Sequence, residues 1–168
     1  MQTNNTPLAL YTDGGVIGAN PSLIGGTWAF CLVDSDGERI TCNSGIITPA
    51  EAGLPAITNN LTELLAIVSG REALPYAWSG VIHSDSWVSL QRVFLAAKLA
   101  NVPPWLITRL QKLQRDGWFS ACHWQLLDGH PTKAQLAAGV GKRGGPVSPH
   151  NVWADQECTR LARQAVAQ

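Results

Sequence analysis

The stretch LALYTDGG, residues 8–15, places a carboxylate directly after a short apolar run. The run predicts a buried strand over 8–13. Asp13 could simply cap the turn that Gly14 and Gly15 predict, because Asp and Gly are common turn residues. Whether Asp13 does more than this depends on where the other acids of the chain lie.

The elements that follow this strand predict one mixed sheet. Apolar and β-branched runs indicate further strands at 25–34, 38–48, 79–85 and 120–128. Helical periodicity indicates helices at 59–74, 86–100, 104–116 and from 151 onward. Three antiparallel strands, joined in part by the hairpin turn DSDGE, precede strands that alternate with helices. This order predicts an α/β fold, a five-stranded mixed β-sheet flanked by α-helices.

The composition is that of a globular protein, with 45% hydrophobic and 14% charged residues. We expect a single domain over 1–168, with a disordered tail at 1–7 and an extended, flexible basic loop at 129–150. The chain has no apolar run long enough to span a membrane. We therefore expect a cytoplasmic monomer without a membrane partner.

The formal net charge of zero argues at first against a nucleic-acid partner. The charges are unevenly distributed, however. Two segments, 98–115 and 129–150, contain lysines and arginines but no acids. The sum also includes carboxylates that a metal ion could neutralise, so the net charge does not exclude nucleic acid.

Three further acids are candidates for the same site as Asp13. Asp85 ends the strand at 79–85, Glu63 lies on an apolar helix, and Asp155 borders the small-residue stripe of the last helix. Each also has an ordinary explanation. Asp85 can cap the following helix, Glu63 can be a partly solvated helix acid, and Asp155 can stabilise a helix dipole.

Together the four acids indicate a metal site. Asp13 and Asp85 follow strands, and open α/β sheets bind their ligands at the carboxyl ends of strands. Buried like charges raise each other's pKa, so a cation is needed to hold such a cluster together. Oxygen ligands alone favour Mg²⁺ or Mn²⁺. The pattern predicts hydrolysis of a phosphodiester with two metal ions.

Five motifs resemble, in order, those of type 1 ribonuclease H: YTDGG, TNNLTELLAIVSGREAL, HSDSWVSLQ, WQLLDGH and NVWADQECTRLA. The resemblance covers nearly the whole chain and implies a ribonuclease H-like fold. It also implies an endoribonuclease that hydrolyses the RNA strand of RNA–DNA hybrids with two Mg²⁺ ions, for which Mn²⁺ can substitute. The expected products carry a 5′-phosphate and a 3′-hydroxyl.

The resemblance also implies catalytic roles. Asp13 would bridge both ions, Glu63 and Asp85 would hold the ion at the leaving group, and Asp155 would hold the ion at the attacking water. His130, in WQLLDGH, is similar to the family's mobile histidine, which assists protonation and product release.

A second group of residues is expected to bind the substrate. Thr58 and Asn59 stand at a helix N-terminus that suits a backbone phosphate, and Asn60 and Asn20 resemble minor-groove contacts. Gly14 and Gly15 would let a nucleic-acid backbone approach the metal ions. The alternative explanation for the polar members is capping and turn formation.

The chain departs from the family pattern in two places. His130 and Asp155 are 25 positions apart, more than is usual in the family, so His150 is a competing candidate for the mobile histidine. The segment 95–117 lacks the long basic protrusion of some members. We therefore expect weak or strongly salt-dependent affinity for the hybrid.

Two alternative functions remain open at this point. The chain could be a nuclease of this fold that acts on structured DNA, as resolvases and integrases do. It could also be a non-catalytic module that binds hybrids. The TNN motif and the match around Asp85 argue against the first alternative, and the presence of all four acids argues against the second.

Overall fold

Five strands form one sheet in the computed structural model, which describes residues 7–167. The strands are β1 (Ala9–Val16), β2 (Gly26–Val33), β3 (Arg39–Ile47), β4 (Val81–Ser84) and β5 (His123–Leu126). Their order is β3-β2-β1-β4-β5; β2 pairs antiparallel with both β1 and β3, whereas β4 pairs parallel with both β1 and β5. The predicted fold class is confirmed.

Helices cover both faces of this sheet. They are α1 (Pro49–Ala52), α2 (Asn59–Glu72), α3 (Trp87–Phe94), α4 (Pro104–Arg115), α5 (Lys133–Ala138) and α6 (Pro149–Val166). Leu10 of β1 lies against Gly70 of α2, whereas the ring of Tyr11 lies 5.0 Å from that of His150 in α6. Because side chains alternate along a strand, α2 and α6 pack on opposite faces of β1. No helix within residues 7–167 is long and apolar enough to span a bilayer.

The main core lies between α2 and the sheet. Its central side chains are fully buried, and they include Leu10, Leu64, Ile67 and Ile82. Burial of each such side chain contributes about 1.5–3 kcal/mol to stability. This packing fixes α2 against β1 and thereby fixes the position of the acid that α2 carries.

The hairpin turn between β2 and β3 forms as predicted. The Asp34 carboxylate accepts hydrogen bonds from the backbone N–H groups of Asp36 at 2.9 Å and Glu38 at 3.0 Å. Gly37 has a φ of 79°, which favours glycine. The Asp34 carboxylate of DSDGE therefore stabilises the turn.

The helix predicted at 86–100 is wrong in its second half, because α3 ends at Phe94. Ala96 adopts a left-handed φ of 53°, and the Arg92 guanidinium donates to the carbonyls of Lys98 at 3.3 Å and Ala100 at 3.1 Å. These contacts fold the chain back on α3. The apolar run after Phe94 looked helical because periodicity does not report such a reversal.

Residues 129–150, predicted as a flexible loop, contain a helix and a bridge between Val140 and Pro146. The helix, α5, starts at a capping box: Thr132 Oγ1 accepts from Gln135 N–H, and Gln135 Oε1 accepts from Thr132 N–H. A similar box opens α1, which the sequence reading omitted. The predicted disordered tail lies outside the described residues, except for Pro7, whose carbonyl accepts a hydrogen bond from the Trp78 indole at 2.6 Å.

Candidate active site

Three of the four predicted acids converge at the centre of the sheet. Asp13 lies in β1, Glu63 in α2, and Asp85 directly after β4, and one oxygen from each lies within 4.8 Å of the others. The strand register explains one pair. Tyr11 and His83 are partners in the parallel β1–β4 pairing, so Asp13 and Asp85 both lie two residues beyond a paired position.

Glu63 reaches Asp13 because β1 carries a glycine where α2 crosses it. A Cβ on Gly14 would lie 2.5 Å from the backbone N of Glu63, and a Cβ on Gly15 would lie 3.0 Å from Thr27 Oγ1. Gly14 is therefore required for the close approach of helix and strand. Both glycines also line the cleft, but the contact with α2 already explains why residue 14 is a glycine.

Burial and mutual repulsion dominate the electrostatics of this triad. Burial, followed by the charge of Asp85, raises the pKa of Asp13 well above its ordinary value. The pKa of Glu63 is raised well above its ordinary value by burial and then by the charges of Asp13 and Asp85. Burial also raises the pKa of Asp85. The protein itself thus opposes the ionised form of all three carboxyl groups.

The donor set fits a hard divalent cation. The Oε2 atom of Glu63 is buried and has no hydrogen-bond partner within the described part of the chain. Three convergent carboxylates provide only oxygen ligands, the type that Mg²⁺ and Mn²⁺ prefer. A cation there would satisfy the Glu63 oxygen and offset the repulsion that raises the pKa values.

Asp155, on α6, lies beside the triad rather than within it. Its side chain is partly exposed, and its charge contributes to the raised pKa values of Asp13 and Asp85. His130 Nδ1 lies 3.6 Å from Asp155 Oδ2. The fourth predicted acid therefore lies close enough for its charge to act on Asp13 and Asp85.

The four acids open into one cleft of about 560 Å³. Most of the predicted site residues line it, namely Asp13, Gly14, Gly15, Asn59, Asn60, Glu63, Asp85, His130 and Asp155. Thr58 and Asn20 do not. Thr58 Oγ1 caps α2 by accepting from Leu61 N–H at 3.2 Å, and Asn20 Oδ1 accepts from Asn59 N–H at 3.1 Å. The capping explanation thus describes these two side chains.

His150, the competing candidate for the mobile histidine, lies away from this cleft. Its Nδ1 lies 3.0 Å from an Arg39 guanidinium nitrogen, and its ring tilts against Tyr11. Burial and the charge of Arg39 lower its pKa. Among the two histidines, His130 is the one that lines the cleft beside Asp155.

Sequence reasoning missed several residues around the acids. The buried Asn151 side chain interacts with Asp85 and lowers the pKa of that acid against the effect of burial. Its position one helical turn before Asp155 was a usable signal. A Cβ on Gly129 would lie 2.7 Å from Asp85 Oδ2, so this glycine borders the site directly. Lys142 and Arg143 also line the cleft.

Comparison with known proteins agrees with this architecture, although no protein-family model matches the chain. A ribonuclease H of Bordetella avium strain 197N is 30% identical over 178 residues, covering 99% of this chain and 97% of that protein. The chain belongs to the ribonuclease H family.

Solved structures of the same fold are more distant in sequence. LC11-RNase H1, isolated from compost by a metagenomic approach, superposes with a TM-score of 0.65 at 17% identity, covering 96% of this chain and 99% of the other. The same enzyme in complex with an RNA/DNA hybrid gives a TM-score of 0.64 at 17% identity, over 94% and 98%. RNase H1 from Halobacterium salinarum gives 0.58 at 18% identity, over 93% and 97%.

Proposed function

We propose that the protein is an endoribonuclease that hydrolyses the RNA strand of RNA–DNA hybrids and leaves a 5′-phosphate and a 3′-hydroxyl. The observation that carries this proposal is the convergence of Asp13, Glu63 and Asp85 in one cleft, with a buried oxygen of Glu63 left unpaired within residues 7–167. Membership of the ribonuclease H family supports it. The solved hybrid complex of LC11-RNase H1 supports the substrate class.

The four acids would hold two Mg²⁺ ions, with Mn²⁺ as a substitute. Asp13, Glu63 and Asp85 supply the converging oxygens, and Asp155 supplies a further carboxylate beside them. When bound, such ions lower the pKa of an attacking water and stabilise charge on the leaving oxygen. Gly14 keeps Glu63 beside Asp13, and Asn151 would favour the ionised form of Asp85 that a cation requires.

His130 would move the proton that the leaving oxygen requires. Its side chain is 78% exposed, and its Nδ1 lies 3.6 Å from Asp155 Oδ2. An exposed imidazole can change its orientation between steps, and histidine is the side chain that most often transfers protons in catalysis. His130 therefore combines access to solvent with proximity to the acids.

Asn59 and Asn60 would recognise the RNA strand. Both line the cleft at the start of α2, close in sequence to Glu63. A 2′-hydroxyl is both donor and acceptor, and an amide side chain can pair with either function. Thr58 and Asn20 would support this role by holding the first turn of α2 in place. Gly15, also in the lining, leaves room for the backbone.

A cytoplasmic, monomeric enzyme is part of the same proposal. The four cysteines are free thiols, as is usual in a reducing compartment. Light scattering during size-exclusion chromatography tests the monomer, and fractionation of the producing cell tests the location. A dimeric mass or a secreted fraction would contradict the respective part.

Cleavage of end-labelled duplexes tests the proposed activity. The substrates are an RNA–DNA hybrid, duplex DNA, duplex RNA and a four-way DNA junction, each with Mg²⁺ and with a chelator. We expect cleavage of the hybrid RNA strand in Mg²⁺, with phosphatase-sensitive 5′ ends on the products. Cleavage of the junction instead would favour the resolvase-type alternative, and hybrid binding without cleavage would favour the non-catalytic module.

A further inference from the structure

The segment between Gly139 and Pro146 forms a small closed turn beside the acids. Val140 and Pro146 bridge, and Gly141 N–H donates to Gly145 O at 2.8 Å. Gly144 N–H donates to Gly141 O at 3.1 Å, so Lys142 and Arg143 are the central residues of a β-turn. We call Gly141–Gly144 the basic turn.

Asp128 holds the basic turn against the end of β5. Its carboxylate accepts hydrogen bonds from Arg143 N–H at 2.8 Å and Gly145 N–H at 3.2 Å, and its own N–H donates to Pro146 O at 2.9 Å. Because Asp128 lies two residues after the end of β5, the turn is attached to the sheet that positions the acids. The turn is therefore a fixed structural feature.

Glycine is required at two positions of this arrangement. A Cβ on Gly141 would lie 2.4 Å from Asp128 Cβ, and a Cβ on Gly145 would lie 2.6 Å from Asp128 Oδ1. These two glycines let the Asp128 carboxylate enter the turn, which explains their place in the segment GVGKRGG, residues 139–145. The result is a turn that presents its two charged side chains outward.

Lys142 and Arg143 line the same cleft as the catalytic acids. Both are exposed, and within residues 7–167 neither forms an ion pair with a carboxylate. Among the described residues that line the cleft, Lys142 and Arg143 are the only lysine and the only arginine. The other titratable side chains there are carboxylates and His130. Unpaired cations at the edge of an acidic cleft suit an anionic ligand that spans beyond the acids.

We propose that the basic turn is a phosphate clamp, in which Lys142 and Arg143 bind backbone phosphates of the hybrid next to the cleaved one. This inference rests on the proposed function, since it takes the hybrid as the occupant of the cleft. Arg143 can hold a phosphate through two parallel N–H groups, and Lys142 adds a point charge. Asp128 is a positioning residue that fixes the clamp.

Kinetics of the Lys142→Ala/Arg143→Ala variant test the clamp, with Lys133→Ala as matched control. Lys133 is exposed, belongs to the same segment and does not line the cleft. We expect the double variant to raise KM for the hybrid by about ten-fold with kcat little changed, because the contacts are to phosphate. For the double variant, the slope of log(kcat/KM) against log[KCl] becomes less negative by about one to two. Lys133→Ala keeps both the wild-type KM and the wild-type slope.

Asp128→Ala separates positioning from simple charge. If only net charge matters, Asp128→Ala lowers KM for the hybrid, because the protein loses a negative charge. If Asp128 fixes the clamp, Asp128→Ala raises KM, because the turn is released. If the wild type cleaves the hybrid, and the salt slope of Lys142→Ala/Arg143→Ala equals that of Lys133→Ala, the clamp is wrong. The proposed function would then still stand. Failure of the wild type to cleave the hybrid would overturn the proposed function and the clamp with it.

Discussion

Helix α2 carries two buried charges that the protein treats in opposite ways. Arg71, near its C-terminal end, is fully buried, and its guanidinium donates to the carbonyls of Trp118 and Tyr76 at 2.8 Å and Pro75 at 3.0 Å. It also lies 4.7 Å from the centre of the Trp118 ring. Glu63, eight residues earlier, faces two other carboxylates and keeps one buried oxygen unpaired within residues 7–167.

The difference distinguishes a structural charge from a functional one. An unpaired buried charge costs several kcal/mol, so a fold that keeps one needs compensation from outside the chain. Arg71 is compensated by carbonyls that the loop at 74–76 supplies. For Glu63 the proposed cation would supply this compensation, which favours its end of the helix as the site.

Glu63→Gln is the change with the largest expected effect on activity. It keeps the shape of the side chain but removes the charge that would hold a cation, so we expect kcat on the hybrid to fall by about a thousand-fold. Glu72→Gln is the matched control, since Glu72 lies on the same helix and pairs with Arg109 at the surface. Similar rates for the two variants would remove Glu63 from the active site.

Arg71→Met tests the other end of the helix. Loss of the guanidinium leaves buried carbonyls without donors, and we expect the free energy of unfolding in urea to fall by about 3–5 kcal/mol. Arg109→Met breaks an exposed ion pair and should cost less than about 1 kcal/mol. If Arg71→Met is as stable as Arg109→Met, Arg71 has no structural role, and the contrast between the two ends of α2 is wrong.

The two candidate histidines, His130 and His150, show the same contrast on a smaller scale. His130 is exposed near Asp155, whereas His150 is held by Arg39 and Tyr11. We expect His130→Ala to lower kcat by about a hundred-fold, as removal of a general acid does, and His150→Ala to lower it by less than about two-fold. Steady-state cleavage of the hybrid decides this, and a larger loss for His150→Ala would reverse the assignment.

Local sequence signals were sufficient for the sheet and the acids. The apolar run before Asp13 and the helical periodicity around Glu63 each predict burial from residues within a single segment. The family motifs added the order of the acids along the chain. Convergence of Asp13 and Asp85 then follows from the parallel register of β1 and β4, and Glu63 joins them because α2 crosses β1 at Gly14.

Contacts between distant residues could not be predicted in this way. The effect of Asn151 on Asp85 and the hydrogen bonds between Asp128 and the basic turn join residues that are far apart in sequence. The end of α3 depends on Arg92 reaching carbonyls beyond the helix. The start of α5 was readable, because its capping box lies within four residues.

The central claim is that the acids of the cleft are held for a divalent cation. The pKa values of Asp13, Glu63 and Asp85 are all raised, so the metal-free fold binds protons more tightly than the unfolded chain does. The contribution of these groups to stability is therefore greatest below the ordinary carboxyl range and falls as pH rises through the raised values. Binding of Mg²⁺ to the folded protein should restore it at neutral pH.

Thermal unfolding of the wild type and Glu63→Gln at pH 5 and pH 8, with chelator or Mg²⁺, measures this directly. With chelator at pH 8, the account predicts that Glu63→Gln is more stable than the wild type by on the order of 1 kcal/mol, and that the difference shrinks at pH 5. Mg²⁺ should raise the Tm of the wild type at pH 8 by about 3 °C or more, and it should raise the Tm of Glu63→Gln much less. Equal Tm values with and without Mg²⁺, together with no stabilisation by Glu63→Gln, would contradict the claim.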